Sequence, residues 1–437
     1  MNLEKNKKIL LILILTLLLF SFILINNLFN YPIENSYDGD AHIEYIKFFS
    51  MYLPNDIVLP QELNTYQFYN PPLSYFVPSM SMVLCRNIID SDNLVQSCLP
   101  YMFLTTKIFN ILLFLSIIMV HLMIIKKISK NNKNTIVFYL IVQSILSVNY
   151  RAVSMFRSEI YLSFFLSLLI YLIASKDLTK YRFQDVVKIS ILFSLMIFTR
   201  QLSLIIIFAF FTSYFYYSIK KNSLKNFFKI SFQIFLSVLI ICFNYISLTI
   251  KNYGNYFAFN IDRSQKSIEI LDIISRFYIF DFDLFLKPVR NYLENKIFLI
   301  FFSDLYGDYW GYFANLYEFV NIELFTKYLG FINILALAPF VFFLLSLNIK
   351  YVNYAFILFF IKFLIFLSIV YLIIFNFQYD DGSGDTIKTI YILFAVQLLP
   401  VIASLKFNKL KAVTQNLFIY YGFFMFLISF FSFLIIV

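Results

Sequence analysis

Apolar residues run through this chain in blocks of about twenty, separated by short basic or mixed-charge stretches. Roughly 20 consecutive apolar residues are needed to cross a bilayer core, so the pattern predicts about 11 transmembrane helices. They fall near residues 9–29, 101–124, 135–155, 160–174, 186–199, 202–218, 227–249, 328–347, 354–376, 387–404 and 414–437. The blocks are continuous and do not alternate apolar with polar, which predicts an all-α polytopic membrane protein and not a β-barrel. The fourth and fifth blocks are short, and those helices are expected to be tilted, fused or partly re-entrant. The first begins with basic residues like a signal peptide, but it is too long and lacks a small-residue cleavage site, so it reads as a span.

Charge then orients the helices. Lys5, Lys7 and Lys8 place the N-terminus in the cytoplasm, because short cytoplasmic loops carry the excess of lysine and arginine. Alternation puts Lys126, Lys127, Lys130 and Lys133 in the first cytoplasmic loop, and Lys176, Lys180 and Arg182 in the second. Lys220, Lys221 and Lys225 fall in the third, Lys350 in the fourth, and Lys406, Lys409 and Lys411 in the fifth. Every basic cluster lands inside, and the C-terminus is expected outside. The remaining polar length forms two long external loops, about 30–100 and 250–327, on what reads as a single membrane domain over 1–437. Short or amphipathic helices are expected in both; in the first, Asp38, His42, Tyr45 and Phe49 would share one helical face. Lys107 and Lys362 lie inside apolar blocks but close enough to an end to snorkel.

Composition agrees. Only 14% of residues are charged and 61% are hydrophobic, against about 25% charged in soluble domains. With 58 Phe and 33 Tyr but 8 Gly, the helices should pack through bulky aromatics. The net charge of +10 would suit a nucleic acid, yet the lysines are used up in marking loops, so the expected surroundings are membrane lipids and no nucleic acid. Cys85 and Cys98 share the first external loop, as a disulfide or as two thiols; neither they nor Cys242 have metal-ligand spacing.

Candidate chemistry lies on the predicted outer side. Asp38-Gly39-Asp40 leaves the first span, followed by His42 and Glu44. The carboxylates of Asp38 and Asp40 suit a general base acting on a hydroxyl, or ligands for Mg²⁺ or Mn²⁺ through hard oxygens; the bland alternative is a solvated helix start. Tyr69-Asn70-Pro71-Pro72 is by itself a turn into a helix. Arg157 and Arg200 mark two hairpin tips and either cap the interface or hold a phosphate. Asp304 to Tyr312 includes Asp308 and the single tryptophan, Trp310, which suits an interfacial anchor or the stacking face of a sugar site. Lys388 opens a helix after the acidic loop 379–385, with Tyr391 one turn on, and either snorkels or receives a phosphate. All five groups fall on one face, whereas unrelated polar residues would scatter to both.

These motifs resemble those of the GT-C membrane glycosyltransferases, in particular the protein mannosyltransferase-like and lipid A aminoarabinose transferase-like enzymes of the glycosyltransferase family 39 type. The likeness rests on an aspartate four residues before a histidine after the first span (Asp38, His42), on Pro71-Pro72-Leu73-Ser74-Tyr75, where that family often has an aromatic in place of Ser74, and on Lys388 to Tyr391. Many members have Asp-Glu where this chain has Asp38-Gly39, with its second acid at Asp40, so the base is either aspartate, with Asp38 favoured by its spacing to His42. The resemblance implies transfer of a sugar from a polyprenyl-phosphate donor to a lipid, glycan or protein hydroxyl on the non-cytoplasmic face, with inversion. It gives Asp38 and Asp40 the catalytic roles, with Asp40 and Glu44 either holding Mg²⁺ or Mn²⁺ or orienting the acceptor. His42, Glu44, Tyr69, Pro71, Pro72, Asp308 and Trp310 would meet the donor sugar or the acceptor, and Arg157, Arg200, Lys388 and Tyr391 the lipid phosphate. A bacterial inner membrane is favoured over the endoplasmic reticulum. An O-antigen polymerase or ligase would place its main charged loop late, and a lipid or solute transporter would place ionisable groups near the bilayer centre.

Overall fold

Helices stand wherever the apolar blocks lie. The computed structural model describes residues 2–32, 37–89, 94–129, 132–176, 181–254, 275–277, 281–290, 293, 296–312, 322–378 and 386–435. The loop 379–385 and much of 255–321 therefore lie outside the described residues. Among those described, 8 helices are long and apolar enough to span: Lys7–Asn30, Val95–Ser129, Ser203–Lys220, Leu224–Tyr253, Glu323–Ser346, Val352–Gln378, Thr389–Phe407 and Ala412–Phe433. A bent pair makes a ninth. Helices Glu159–Ser175 and Phe183–Thr199, each 17 residues, occupy the two blocks that the sequence marks as short. The chain is an all-α polytopic membrane protein with helices at all eleven predicted positions.

In chain order the helices used below are α1 (Asn2–Asn30), α2 (Gly39–Tyr52), α3 (Leu73–Arg86), α4 (Leu94–Ser129), α5 (Lys133–Ser144), α6 (Ser147–Ser154), α7 (Glu159–Ser175), α8 (Phe183–Thr199), α9 (Ser203–Lys220), α10 (Leu224–Tyr253), α11 (Asp283–Leu286), α12 (Ile297–Tyr306) and α13 (Ile322–Ser346). The pair α5 and α6 is the bent span, broken by 65°. No proline or glycine lies at the break, the usual causes of a kink. The freed carbonyls are taken instead by side chains: Asn149 Nδ2 donates to Gln143 O (2.9 Å) and Tyr150 Oη to Ser144 O (2.8 Å). Nothing in an apolar lipid core would replace those bonds, so the break is tolerable because it is internally satisfied.

Two compact units interleave along the sequence. One comprises Met1–Tyr31, His121–Ser154 and Ser264–Val437; the other comprises Pro32–Val120 and Met155–Arg263. In the second unit, α2 packs on α3 around Tyr45, Ile46, Phe49, Tyr75, Met82, Met102 and Phe156. Tyr45 and Tyr75 stack with ring centroids 3.7 Å apart, the aromatic packing that the composition predicts. A disulfide joins Cys85 to Cys98, tying the end of α3 to the start of α4 and settling the two open thiol states. In the first unit, the apolar helix α12 is almost wholly buried and packs against α6 and α13. Part of the second external loop is therefore core.

Leu63, in the loop after α2, is 96% exposed, and Val352, after Lys350, is 92% exposed. Single cysteines placed there are expected to react with an impermeant maleimide from opposite sides, Leu63→Cys from outside and Val352→Cys only after permeabilisation. The background is silent, since Cys85 and Cys98 are bonded and Cys242 is buried. Labelling of both from one side would overturn the topology.

Candidate functional site

The acidic start of α2 is built around a strained residue. Asp38 is the N-cap of α2 and takes left-handed dihedrals, φ 54° and ψ 32°. That region costs an ordinary residue roughly 1–2 kcal/mol, while Asp and Asn visit it more readily. Its neighbours hold it there: Arg157 Nη2 donates to Tyr37 O (2.8 Å) and lies 4.8 Å from the Tyr37 ring centroid. Because Asp38 leaves helical geometry, it departs from the face predicted for it. His42, Tyr45 and Phe49 turn into the core, whereas Asp38 is exposed.

The exposed carboxylate ends a chain of hydrogen bonds. Gln67 Nε2 donates to Asp38 Oδ2 (3.2 Å), Asn70 Nδ2 to Gln67 Oε1, and Arg200 Nη1 to Asn70 Oδ1 (3.3 Å). Gln67 and Asn70 are buried. Arg200 also bonds Ser158 Oγ (3.1 Å) and pairs with buried Glu159, the first residue of α7, at 3.3 Å. A side branch runs inward from Asn70 Nδ2 to Tyr75 Oη (3.1 Å), which faces His42 Nδ1 at 2.7 Å. Burial, reinforced by Arg157 and then Arg200, holds His42 well below the usual histidine range. His42 is thus a neutral imidazole in the core, sharing one hydrogen bond through Nδ1 with the Tyr75 hydroxyl, which also accepts from Asn70. Burial also raises the Tyr75 phenol far above its ordinary value. Tyr69 is half-buried, and burial pushes its phenol up to about 12, with Arg200 opposing and Asp38 adding. Gln201 Nε2 bonds Tyr69 O, Pro71 is buried, and Pro72 caps α3.

Asp40 and Glu44 lie one turn apart on the exposed side of α2. Among the described residues no three His, Cys, Asp or Glu side chains group as a metal site. A hard divalent ion takes about six or more oxygens, so these two carboxylates would hold Mg²⁺ or Mn²⁺ only with water and substrate oxygens completing its shell.

The other unit holds the second set of predicted residues. Arg151, on α6, and Asp304, on α12, form a salt bridge in which both side chains are essentially inaccessible. Asp304 Oδ2 also accepts from Thr389 N (2.7 Å) and Thr389 Oγ1 (2.6 Å), and Ser147 Oγ donates to Asp304 O (2.8 Å). These bonds pin the backbone one residue beyond Lys388. Lys388 Nζ lies 5.3 Å from the Trp310 ring and 5.9 Å from Tyr391, and Arg290 lies 5.7 Å from Trp310. Trp310 and Asp308 are buried, and Asp308 Oδ1 accepts from Tyr312 N (2.9 Å). The indole face therefore already meets two cations, an arrangement suited to an anion nearby.

Each predicted residue thus has a place. Asp38, Asp40, Glu44, Tyr69, Pro71, Pro72, His42, Arg157 and Arg200 belong to one unit, and Asp308, Trp310, Lys388 and Tyr391 to the other. His42 and Arg157 act from within, His42 as neutral core and Arg157 as the anchor of Tyr37. Lys107 is buried and does not snorkel, whereas Lys362 Nζ reaches the Ile349 carbonyl at 2.7 Å. Gln67, Asn70, Arg151, Asp304 as a charge partner, Thr389 and Arg290 escaped sequence reasoning. An arginine inside an apolar block was the one signal that pointed to any of them.

No protein-family model matches the sequence, and no curated protein matches it. Among solved structures, the chain is similar to crystal structures of ArnT from Cupriavidus metallidurans. The match to the apo state has a TM-score of 0.42 at 13% identity, covering 92% of this chain and 78% of that one. The match to the structure bound to undecaprenyl phosphate has a TM-score of 0.41 at 12% identity, covering 92% and 77%.

Proposed function

We propose that this protein is a membrane glycosyltransferase that moves a sugar from a polyprenyl-phosphate donor to an acceptor hydroxyl on the non-cytoplasmic face. The observation that carries the reading is Asp38: an exposed carboxylate directly after the first span, held in left-handed geometry on a buried polar frame. Strain of this kind collects at working residues, where the surroundings hold a conformation the chain would not choose. Asp38 takes the proton of the acceptor hydroxyl as that oxygen attacks the anomeric carbon. The bond from that carbon to the donor phosphate breaks, its electron pair leaves on the polyprenyl phosphate, and configuration inverts. Lys388 is assigned to the departing phosphate, where a cation stabilises developing negative charge. A bacterial inner membrane is the proposed setting, with the endoplasmic reticulum as the alternative.

Incubating the protein in membranes, whose lipids, glycans and proteins supply acceptor hydroxyls, with a panel of polyprenyl-phosphate sugars is the direct test, against membranes lacking the protein. Consumption of one donor with release of polyprenyl phosphate supports the reading, and no consumption of any overturns it. Lys388→Ala is expected to raise the donor KM about tenfold, the size of one charged contact, with the acceptor KM unchanged. Equal rises in both would remove Lys388 from the phosphate.

A transporter is the second reading, and one observation favours it: the buried Arg151–Asp304 pair beside a broken span, the kind of site that transporters use. In proteoliposomes it predicts movement of a lipid or sugar across the bilayer with no covalent change in the donor.

A further inference from the structure

The chain from Arg200 to Asp38 has a direction, and chemistry rather than coordinates sets it. A guanidinium can only donate and a carboxylate can only accept. With Arg200 at one end, Asn70 must present Oδ1 to it and Nδ2 to its other neighbour; Gln67 must then accept at Oε1 and donate from Nε2 to Asp38. Both amides are oriented by this constraint alone. Reversing either would set two donors or two acceptors face to face.

We infer that Gln67 and Asn70 are positioning residues that relay the charge of Arg200 to Asp38 as aligned amide dipoles, fixing which carboxylate oxygen stays free for the acceptor proton. Hydrogen bonds in such a chain polarise one another, and burial strengthens them. One oxygen of Asp38, Oδ2, is taken by the amide, which leaves Oδ1 for the acceptor hydroxyl. The inference rests on Asp38 as the base and adds what holds it. It also accounts for two adjacent facts. Asn70 is buried although its segment is a turn, and Arg200, paired with buried Glu159, is tied to exposed Asp38 through two neutral side chains.

Asn70→Asp separates this role from mere packing. The carboxylate keeps the volume of Asn70 and strengthens the contact with Arg200, but it cannot donate to Gln67. Gln67 then turns its Nε2 toward residue 70 and its oxygen toward Asp38. The relay therefore predicts kcat for Asn70→Asp roughly tenfold or more below that of Asn70→Ala, whose gap water can fill, with a thermal midpoint at least as high. A packing role predicts the reverse order, and kcat for Asn70→Asp equal to or above that for Asn70→Ala overturns the relay. Should either variant fail to fold, Gln67→Met removes the last donor and leaves the Arg200 end intact. It is expected to lower kcat about tenfold at unchanged donor KM, and unchanged kcat overturns the relay. Asp38→Asn run in parallel separates the two levels. Full activity there removes Asp38 as the base, and the relay with it, whereas an inactive Asp38→Asn beside an active Asn70→Asp removes only the relay; the transferase reading itself falls only if the parent protein consumes no donor.

Discussion

Asp38→Asn is expected to lower sugar transfer by roughly 10²- to 10⁴-fold, the contribution typical of a general base. The change should leave the fold in place. Asn keeps the size of Asp, tolerates left-handed dihedrals comparably, and retains an oxygen to accept from Gln67 Nε2. The anchors of the turn are also untouched, since Arg157 grips the carbonyl and ring of Tyr37 and not the carboxylate. Turnover of the consumed donor and the thermal midpoint are to be measured on the same preparation. Loss of turnover at an unchanged midpoint assigns the base. Turnover within a few-fold of the parent protein would transfer the role to Asp40, which stands exposed two residues on.

The largest expected loss of stability comes from the other unit. Asp304→Ala leaves the Arg151 guanidinium buried without its counter-charge, and breaking a buried pair from one side costs about 3–5 kcal/mol. It also strands the Thr389 amide and hydroxyl, both of which donate to Asp304 Oδ2. Asp304→Asn keeps an acceptor oxygen in place and should cost visibly less. Unfolding of the solubilised protein, followed by denaturant or heat, gives the order: parent, then Asp304→Asn, then Asp304→Ala. An Asp304→Ala midpoint equal to that of the parent would show that water or a neighbouring group replaces the carboxylate.

Much of this architecture could be read from residue order, because the bilayer permits few solutions. Apolar length locates the spans and lysines orient them, and the helices follow those blocks to within a few residues at most ends. The break between α5 and α6 was not legible. It carries neither proline nor glycine, and Asn149 and Tyr150, which cap the freed carbonyls, look like ordinary residues of an apolar block. The acids of the first loop were legible by charge, but Gln67 and Asn70 were not. Neutral amides acquire meaning only from what they face, and their partners lie up to 130 residues away. Arg157 drew attention by its charge, as a phosphate ligand; that its Nη2 also grips the carbonyl of Tyr37 could not be read from the sequence.

Trp310 is the only tryptophan in the chain, and two cations stand within 6 Å of its ring centre. The indole excited state has a large dipole, so its emission colour depends on nearby charge. The protein thereby carries a native optical sensor for the surroundings of Lys388 and Arg290. An anion arriving beside them can be followed by fluorescence, with no label attached and no turnover required.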